Sequence, residues 1–265
     1  MNTPLSAGNA RVKLARKLSR RSERSERRLF LADGPKAVEG ALGVTGCVTE
    51  VFATLAATEQ HADLLALAET AGVAWTLVED RALASLSDSV SPAGVVAVCH
   101  HLDRPLAHLL DRRPALVSIC ADVRDPGNAG NVVRTTDAAG GDAVVLAGSS
   151  VDPYNAKAVR ASVGSLFHLP LAIEPDPAAA VRAAQGAGLV VLAADGAGEI
   201  DLFDADELLA GPTAWLFGNE AWGLPAELAD LADHRVRIPL LGGAESLNLA
   251  TAAAVCLYAS ARARR

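Results

Sequence analysis

The sequence predicts an α/β protein built from two units. Short apolar segments without strict apolar–polar alternation recur between helical stretches, a pattern typical of parallel strands covered by helices on both faces. The 265 residues suffice for two domains, and 51% of them are hydrophobic, so each unit can bury a core. The segment CHHLDRPLAHLLDRRP separates the two units. We therefore predict a small α/β domain over residues 1–103, a linker over 104–114 and a second α/β domain over 115–265.

The first unit begins with a basic segment. Lys13, Lys17, Arg21, Arg24 and Arg28 recur at spacings of three and four residues, which predicts one cationic face of a single helix. The elements predicted after it are the strand LFLADG, a helix near 35–42, the strand CVTEVFAT, a helix near 58–71, and the strands AWTLVED and GVVAVCH.

The second unit alternates strands and helices throughout. Its predicted strands are PALVSICA, DAVVLAG, GLVVLAADG, TAWLFGNE and HRVRIPL, and its predicted helices lie near 129–139, 155–165, 177–186, 225–232 and 246–262. Glycine-rich segments follow the strands of this unit. Because ligands of parallel sheets bind at the carboxyl ends of the strands, we predict the ligand site there.

Charge and cysteine usage indicate the compartment and the class of partner. Residues 1–36 carry ten basic and three acidic side chains (+7), whereas residues 115–265 carry ten basic and eighteen acidic ones (−8). The basic arm can still contact phosphate, because salt screens charges beyond about 10 Å. The four cysteines are widely spaced, which predicts reduced thiols in a cytoplasmic protein. No segment has the apolar length of a membrane span or the pattern of a signal peptide, so no membrane association is expected.

Several classes of site lack their motif. DPGNAGN contains Gly127-x-x-Gly130 instead of G-x-G-x-x-G, and no G-K-[ST] is present, so the fingerprints of a dinucleotide-dependent oxidoreductase and of a P-loop enzyme are missing. Ser246 lies in AESLN and not in G-x-S-x-G, so the motif of a nucleophilic serine is also missing. No His, Cys and Asp cluster has the spacing of metal ligands, so no metal is expected.

Three loops carry a resemblance to a known family. DPGNAGNVVRT, LFGNEAWGLP and IPLLGGAESLNLATAAAV resemble the signature motifs of the SpoU/TrmH branch of the SPOUT RNA methyltransferases, and DPYNAKAVRASVGSLFHLP resembles the segment between the first two motifs. The N-terminal part, with NARVKLARKL and SDSVSPAGVVAV, resembles the ribosomal-protein-like substrate-binding domain fused to many members. The resemblance implies transfer of a methyl group from S-adenosylmethionine to a ribose 2′-hydroxyl of RNA, a trefoil knot in the catalytic domain, and a homodimer.

The resemblance also implies the site residues. The catalytic residues would be Asn128, Arg134, Glu220, Ser246 and Asn248. The cofactor-binding residues would be Ala194, Gly218, Ile238, Leu240 and Leu247. The RNA contacts would come from Lys13, Arg16, Arg20, Arg24 and Arg160. Asp33 stands where the family commonly has glutamate, a mild departure in the N-terminal domain.

These residue types suit the chemistry. Backbone groups, glycines and apolar walls that include Trp222 can hold an adenine ring, and we expect Glu220 to fix the loop near Arg134 or Asn128. A guanidinium stays protonated in proteins, so Arg134 is expected to hold an RNA phosphate and to stabilise the developing alkoxide. A phosphate oxygen or water would then accept the proton of the 2′-hydroxyl.

The resemblance implies ribosomal RNA and not tRNA as the substrate, because the tRNA-specific members of the family usually lack an N-terminal domain of this kind. An antibiotic-resistance methylase that modifies ribosomal RNA, a tRNA 2′-O-methyltransferase and a non-catalytic RNA-binding or assembly factor are the alternatives. The first two catalyse the same reaction, so the motifs do not separate them. A degenerate, non-catalytic relative is expected to have lost some of the five catalytic residues, all of which are present here.

Overall fold

The structure is a computed structural model that describes residues 3–265. The chain divides into two compact units, one comprising the chain up to Leu102 together with Asp152–His168, and the other comprising Asp103–Val151 and Leu169–Arg265. This division differs from the predicted boundaries in two places. Residues 104–114, predicted as a linker, belong to the second unit and contain a helix, and residues 152–168 belong to the first unit.

The first unit has four strands and seven α-helices within the described residues. The strands are β1 (Leu29–Asp33), β2 (Val48–Ala53), β3 (Ala74–Leu77) and β4 (Val95–His100). The helices are α1 (Ala10–Arg16), α2 (Arg21–Arg27), α3 (Pro35–Leu42), α4 (Leu55–Gln60), α5 (Ala62–Thr70), α6 (Asp80–Ala84) and the later α9 (Ala156–Ser162), and short 3₁₀ turns lie at Lys17–Ser19 and Ser165–Phe167.

The helix predicted near 58–71 is in fact two helices, α4 and α5. His61 lies between them with φ −120° and ψ 51°, outside the helical region. The four strands form one sheet in the order β1-β4-β2-β3, in which β4 is antiparallel to both of its neighbours and β2 is parallel to β3. Buried Phe52 and Val96 from the sheet pack with Val12 and Leu18 of the N-terminal segment, so the sheet and this segment share one core.

The basic N-terminal segment does not form one continuous helix. The α1 helix ends at Arg16, a 3₁₀ turn follows, and Arg20 is extended with φ −91° and ψ 133° before α2 begins. The prediction of a single cationic face over 13–28 is therefore wrong. Lys13, Arg16 and Arg20 are nevertheless exposed, as an RNA contact requires.

Arg24 is buried inside the first unit. Its Nε and Nη2 donate to Asp152 Oδ2 at 2.8 and 2.6 Å, and its Nη1 donates to the carbonyl oxygens of Leu18 and Ser19, both at 2.9 Å. The prediction that Arg24 contacts RNA is therefore wrong, because all three guanidinium nitrogens are engaged within the protein. Asp152 opens the segment 152–168, so this ion pair helps to hold that segment in the first unit.

Aromatic contacts also attach the segment 152–168 to the first unit. The ring of Phe30 lies 4.7 Å from that of Tyr154 and 6.0 Å from that of Phe167, measured between centroids. Tyr154 Oη accepts a hydrogen bond from the backbone N–H of Leu102 at 2.7 Å. Phe30 is fully buried on β1, so the segment completes the core on that side of the sheet.

The second unit has seven strands and six α-helices within the described residues. The strands are β5 (Leu116–Ala121), β6 (Ala143–Ala147), β7 (Leu171–Glu174), β8 (Val190–Ala194), β9 (Ile200–Asp201), β10 (Thr213–Phe217) and β11 (His234–Arg237). The helices are α7 (Leu106–Leu110), α8 (Pro126–Ala138), α10 (Pro177–Gly186), α11 (Asp206–Leu209), α12 (Ala226–Ala229) and α13 (Leu249–Ala263), with a 3₁₀ turn at Leu202–Asp204.

All seven strands of the second unit form one parallel sheet in the order β7-β6-β5-β10-β8-β11-β9. Val117 and Ile119 of β5 face an aliphatic core, while Ser118 between them bonds Thr136 of α8 with 2.8 Å between the hydroxyl oxygens. Helices therefore cover both faces, which confirms the predicted α/β class and explains the unalternated strands. The trefoil knot stays a prediction of the resemblance.

Two sequence-based expectations concern the described chain as a whole. All four cysteines are free and buried, as expected for reduced core thiols, and burial raises the pKa of Cys120 to about 12. Among residues 3–265, no helix has the length and apolar character needed to cross a membrane.

Candidate cofactor cleft and active site

A cavity of about 340 Å³ lies at the carboxyl ends of three adjacent strands, β8, β10 and β11. Its lining comprises Ala194, Asp195, Gly196, Phe217, Gly218, Asn219, Glu220, Ala221, Gly223, Val236, Ile238, Leu240, Glu245, Ser246, Leu247, Leu249 and Ala252. All five predicted cofactor-binding residues are in this set. The location agrees with the expectation that ligands of a parallel sheet bind beyond the carboxyl ends of its strands.

The loop after β10 is a tight turn that closes on itself. Asn219 and Gly223 exchange two backbone hydrogen bonds of 2.9 Å, and Gly223 has φ +71°, which favours glycine. A Cβ added to Gly218 would come within 2.4 Å of the carbonyl carbon of Gly223 and within 2.6 Å of the backbone nitrogen of Leu224. The loop therefore requires a glycine at position 218 for steric reasons, whether or not a ligand also approaches the backbone there.

Replacement of Gly218 by alanine is expected to open this loop. Because the clash is with backbone, the variant should lose about 1–3 kcal/mol of stability. It should also bind S-adenosylmethionine at least about tenfold more weakly. Calorimetry and thermal unfolding measure both effects. The matched control is Gly186→Ala at the end of α10, where an added Cβ meets nothing within 4 Å; equal behaviour of the two variants would contradict the steric argument.

The segment after β11 offers free backbone groups to the cavity. Within the described chain, residues 239–247 carry no helix, no strand and no hydrogen bond between backbone groups. Leu240, Ser246 and Leu247 of this segment line the cavity together with Gly218. Apolar walls with unpaired N–H and C=O groups suit a nucleoside, whose base is held by both, so these residues fit the adenosine part of S-adenosylmethionine.

Three of the five predicted catalytic residues form one hydrogen-bonded chain beside the cavity. Asn128 Nδ2 donates to Glu220 Oε1 at 3.1 Å, and Asn248 Nδ2 donates to Asn128 Oδ1 at 3.1 Å. Glu220 also accepts from the backbone N–H groups of Arg124 (3.2 Å, Oε2) and Asp125 (3.0 Å, Oε1). Glu220 therefore fixes the loop at Asn128, one of the two outcomes expected from the sequence.

Local sequence explains why these groups meet. Asp125 caps α8 by accepting from the backbone N–H of Asn128 at 2.8 Å, and Pro126 occupies the first turn. Asn248 caps α13 by accepting from the N–H groups of Ala250 and Thr251. The helices α8 and α13 pack against each other, so their capped ends bring the two asparagines together.

The hydrogen bonds to Glu220 control its ionisation. Partial burial alone would raise the pKa of the Glu220 carboxyl, but hydrogen bonds from its own backbone, from Asn128 and from the N–H groups of Arg124 and Asp125 outweigh this, so its pKa is lowered. The carboxylate is thus the stable form at neutral pH. It acts as a hydrogen-bond acceptor that orients Asn128.

The lowered pKa of Glu220 predicts a pH-dependent contribution to stability. The contribution is complete above the ordinary carboxyl pKa of 4.5 and is lost as pH falls through the lower pKa of the folded state. The difference in Tm between the wild-type protein and Glu220→Gln should therefore be constant from neutral pH down to about pH 5 and shrink at lower pH. A difference in Tm that stays constant down to the acid transition would contradict it.

The other predicted catalytic residues lie outside this hydrogen-bonded chain. Ser246 lines the cavity and is exposed. Arg134 is exposed on α8, and within residues 3–265 its side chain makes no hydrogen bond or ion pair. Trp222 was expected as a wall of the adenine cleft; this is wrong, because its neighbours Ala221 and Gly223 line the cavity but the indole does not.

Arg160, a predicted RNA contact, lies in the first unit beside two carboxylates. Its Nη1 is 3.7 Å from Asp33 Oδ2 and its Nη2 is 3.4 Å from Asp88 Oδ2. Asp33 is buried and accepts a hydrogen bond of 2.6 Å from Ser87 Oγ. Asp33 therefore has a structural role, and the contact between Arg160 and RNA stays a prediction.

Asn219 is a residue of the site that the sequence reasoning missed. Its Nδ2 donates to the carbonyl oxygen of Asp122 at 2.7 Å, and its Oδ1 accepts from the N–H of Ala221 at 2.8 Å. It thereby ties the loop after β10 to the end of β5, the neighbouring strand. The available signal was its place in FGNE, between Gly218 and Glu220 directly after β10.

The fold and site define a class of protein: an α/β protein with a nucleoside-sized cleft at the carboxyl ends of a parallel sheet and an amide–carboxylate cluster beside it. The model of the SpoU rRNA Methylase family matches residues 115–258, and that of the MRM3-like substrate binding domain matches residues 9–97. The chain belongs to the SpoU rRNA methylase family.

Individual relatives cover nearly the whole chain. The 23S rRNA (guanosine(2553)-2′-O)-methyltransferase RlmP of Bacillus subtilis (strain 168) is 35% identical over 254 residues, 96% of each protein. The AdoMet-bound rRNA methyltransferase from Sinorhizobium meliloti has a TM-score of 0.85 at 32% identity, covering 98% of this chain and 97% of that one. The SpoU methyltransferase AviRb from Streptomyces viridochromogenes has a TM-score of 0.83 at 31% identity, with coverages of 97% and 98%.

Proposed function

We propose that the protein is an S-adenosylmethionine-dependent methyltransferase that modifies a ribose 2′-hydroxyl of ribosomal RNA, specifically 23S rRNA. The observation that carries this proposal is the hydrogen-bonded chain from Glu220 through Asn128 to Asn248 beside a cavity that fits adenosine. The presence of this cluster in a chain that is 35% identical to a named 23S rRNA 2′-O-methyltransferase supports catalysis over a purely binding role.

Each residue of the site has a separate role in the proposed reaction. The loops at Gly218, Ile238 and Leu247 would hold S-adenosylmethionine, which supplies an electrophilic methyl group when bound. Asn128, oriented by Glu220 and Asn248, can donate to or accept from the ribose and fix its position. Arg134 holds an RNA phosphate and stabilises the alkoxide as the 2′-hydroxyl loses its proton to a phosphate oxygen or water.

We also propose that the protein acts as a cytoplasmic homodimer. Arg134 has no partner among the described residues. Its side chain is therefore available to an active site that a second subunit completes. Leu241 and Tyr258 are large apolar side chains left 88% and 54% exposed, and such surface commonly marks an interface. Sedimentation of the full chain tests the dimer.

Methyl transfer to isolated RNA tests the activity. Labelled S-adenosylmethionine is incubated with ribosomal RNA and tRNA from cells lacking the protein. The expected result is label in 23S rRNA at one position that resists alkaline cleavage, because a methylated 2′-oxygen cannot attack the adjacent phosphate. Label in tRNA alone would overturn the rRNA assignment, and label at an alkali-sensitive position would overturn ribose methylation. The Arg134→Ala variant serves as the catalytic control.

A further inference from the structure

An exposed aromatic–cation pair lies next to the catalytic cluster. The guanidinium carbon of Arg124 lies 5.2 Å from the ring centroid of Trp222, a geometry that permits a cation–π contact. Trp222 is 54% exposed and Arg124 is also exposed. Trp222 follows Glu220 by two residues, and Arg124 precedes Asn128 by four, so both belong to the loops that form the cluster.

The indole of Trp222 is not used to build the fold. Trp75 donates its Nε1 to Thr58 at 3.0 Å, and fully buried Trp215 donates its Nε1 to Ser260 at 2.8 Å. Within residues 3–265 the Trp222 indole has no hydrogen bond and lines no part of the cofactor cavity. Its large apolar surface therefore remains available to something outside the described chain.

The backbone beneath the pair is fixed although the side chains are exposed. The loop of Trp222 is closed by the reciprocal hydrogen bonds of Asn219 and Gly223, and Asn219 ties it to the carbonyl of Asp122. The backbone N–H of Arg124 is held by Glu220. Little backbone entropy is then lost when a ligand contacts the pair, which is the arrangement expected of a preorganised binding surface.

We propose that Arg124 and Trp222 form a stacking site for a nucleobase of the substrate RNA, adjacent to the ribose that is methylated; the proposal rests on the proposed function. Unpaired bases stack on aromatic rings and on arginine guanidinium planes, and this pair presents both. Residues 115–265 carry ten basic and eighteen acidic side chains, so the net charge of this part of the chain does not attract RNA. A local stacking site would add RNA affinity beside Asn128 without relying on net charge.

Substitution of Trp222 in the full chain tests the site. With 23S rRNA from cells lacking the protein, Trp222→Ala is expected to raise both Kd and KM for RNA about 5- to 150-fold, the effect of losing one base–aromatic stack. Trp222→Phe keeps a stacking ring and should retain most of the affinity. Calorimetric Kd values for S-adenosylmethionine should not change in either variant, because the indole lies outside the cavity.

Arg124 variants test the cationic half of the pair. Arg124→Gln should weaken RNA binding, because it removes the guanidinium plane on which a base stacks. Arg124→Lys should restore little of that affinity, because lysine keeps the charge but lacks the planar group. Phe203→Ala is the matched control, since Phe203 is another exposed aromatic residue of the same unit, 60% exposed, and should bind RNA as the wild type does.

The outcomes separate this site from the proposed function. If the wild type binds rRNA without methylating it, the proposed function fails, and the Kd values alone decide the stacking site. Unchanged RNA binding by Trp222→Ala would overturn the stacking site even if methylation is normal. A shift of Trp222→Ala from dimer to monomer in sedimentation would also overturn it, because the indole would then be covered by a second copy of the chain.

Discussion

Replacement of Arg134 by alanine is expected to lower kcat for methyl transfer by about 10²- to 10³-fold, the effect of removing one group that stabilises developing negative charge. The Kd for S-adenosylmethionine should stay unchanged, because Arg134 is not among the residues that line the cavity. The exposed guanidinium, without a partner among the described residues, is free to meet an RNA phosphate. Single-turnover rates with saturating RNA and equilibrium binding of the cofactor measure the two quantities.

The variant Arg134→Lys separates the chemical role from binding. Lysine keeps the charge but not the planar fork, so kcat should fall less than in Arg134→Ala yet stay clearly below the wild type. Near-wild-type turnover with weakened RNA affinity would make a role in the chemical step untenable. Arg182→Ala on α10 is the matched control, because Arg182 is a helix arginine with a side chain 59% exposed and lies outside the site.

Replacement of Glu220 by alanine is expected to lower kcat/KM about 10²-fold, although Glu220 need not touch the reacting atoms. The change removes the acceptor of the Arg124 and Asp125 N–H groups and of Asn128 Nδ2. Asn128 then loses the partner that orients its amide, and a misplacement of about 1 Å can cost this factor. Asn128 lies in the first turn of α8, which begins at this loop, so its misplacement affects the reacting geometry as well as RNA binding. The loss of kcat/KM should therefore appear both as a lower kcat and as a higher KM.

The control for Glu220 is Glu199→Ala. Glu199 also accepts a backbone N–H hydrogen bond, from Arg235 at 3.0 Å, and its pKa is also lowered, chiefly by that bond. It does not line the cavity or join the catalytic cluster. Equal losses of kcat/KM in the two variants would show that the Glu220 effect reflects general loop damage and not the orientation of Asn128.

The sequence by itself determined the class of fold, and its resemblance to a known family named five residues that the structure places around one cavity. Unalternated apolar segments predict the parallel sheet because such strands are buried on both faces, and five of the seven strands of the second unit were predicted. The two missed strands, β7 and β9, lie at the edges of the sheet and have four and two residues. Segments this short carry too little periodicity to distinguish from a loop.

Tertiary structure decided which charged and aromatic side chains face solvent. Arg24 and Arg20 look alike in the sequence, but Asp152, distant along the chain, pairs with Arg24 and buries it. Trp222 and Gly223 are neighbours, yet Gly223 lines the cavity and the indole does not. Local pattern fixes helices, strands and caps through contacts within a few residues. Whether an individual side chain is buried or exposed depends on partners distant in the sequence, which only the folded chain brings within a few ångströms.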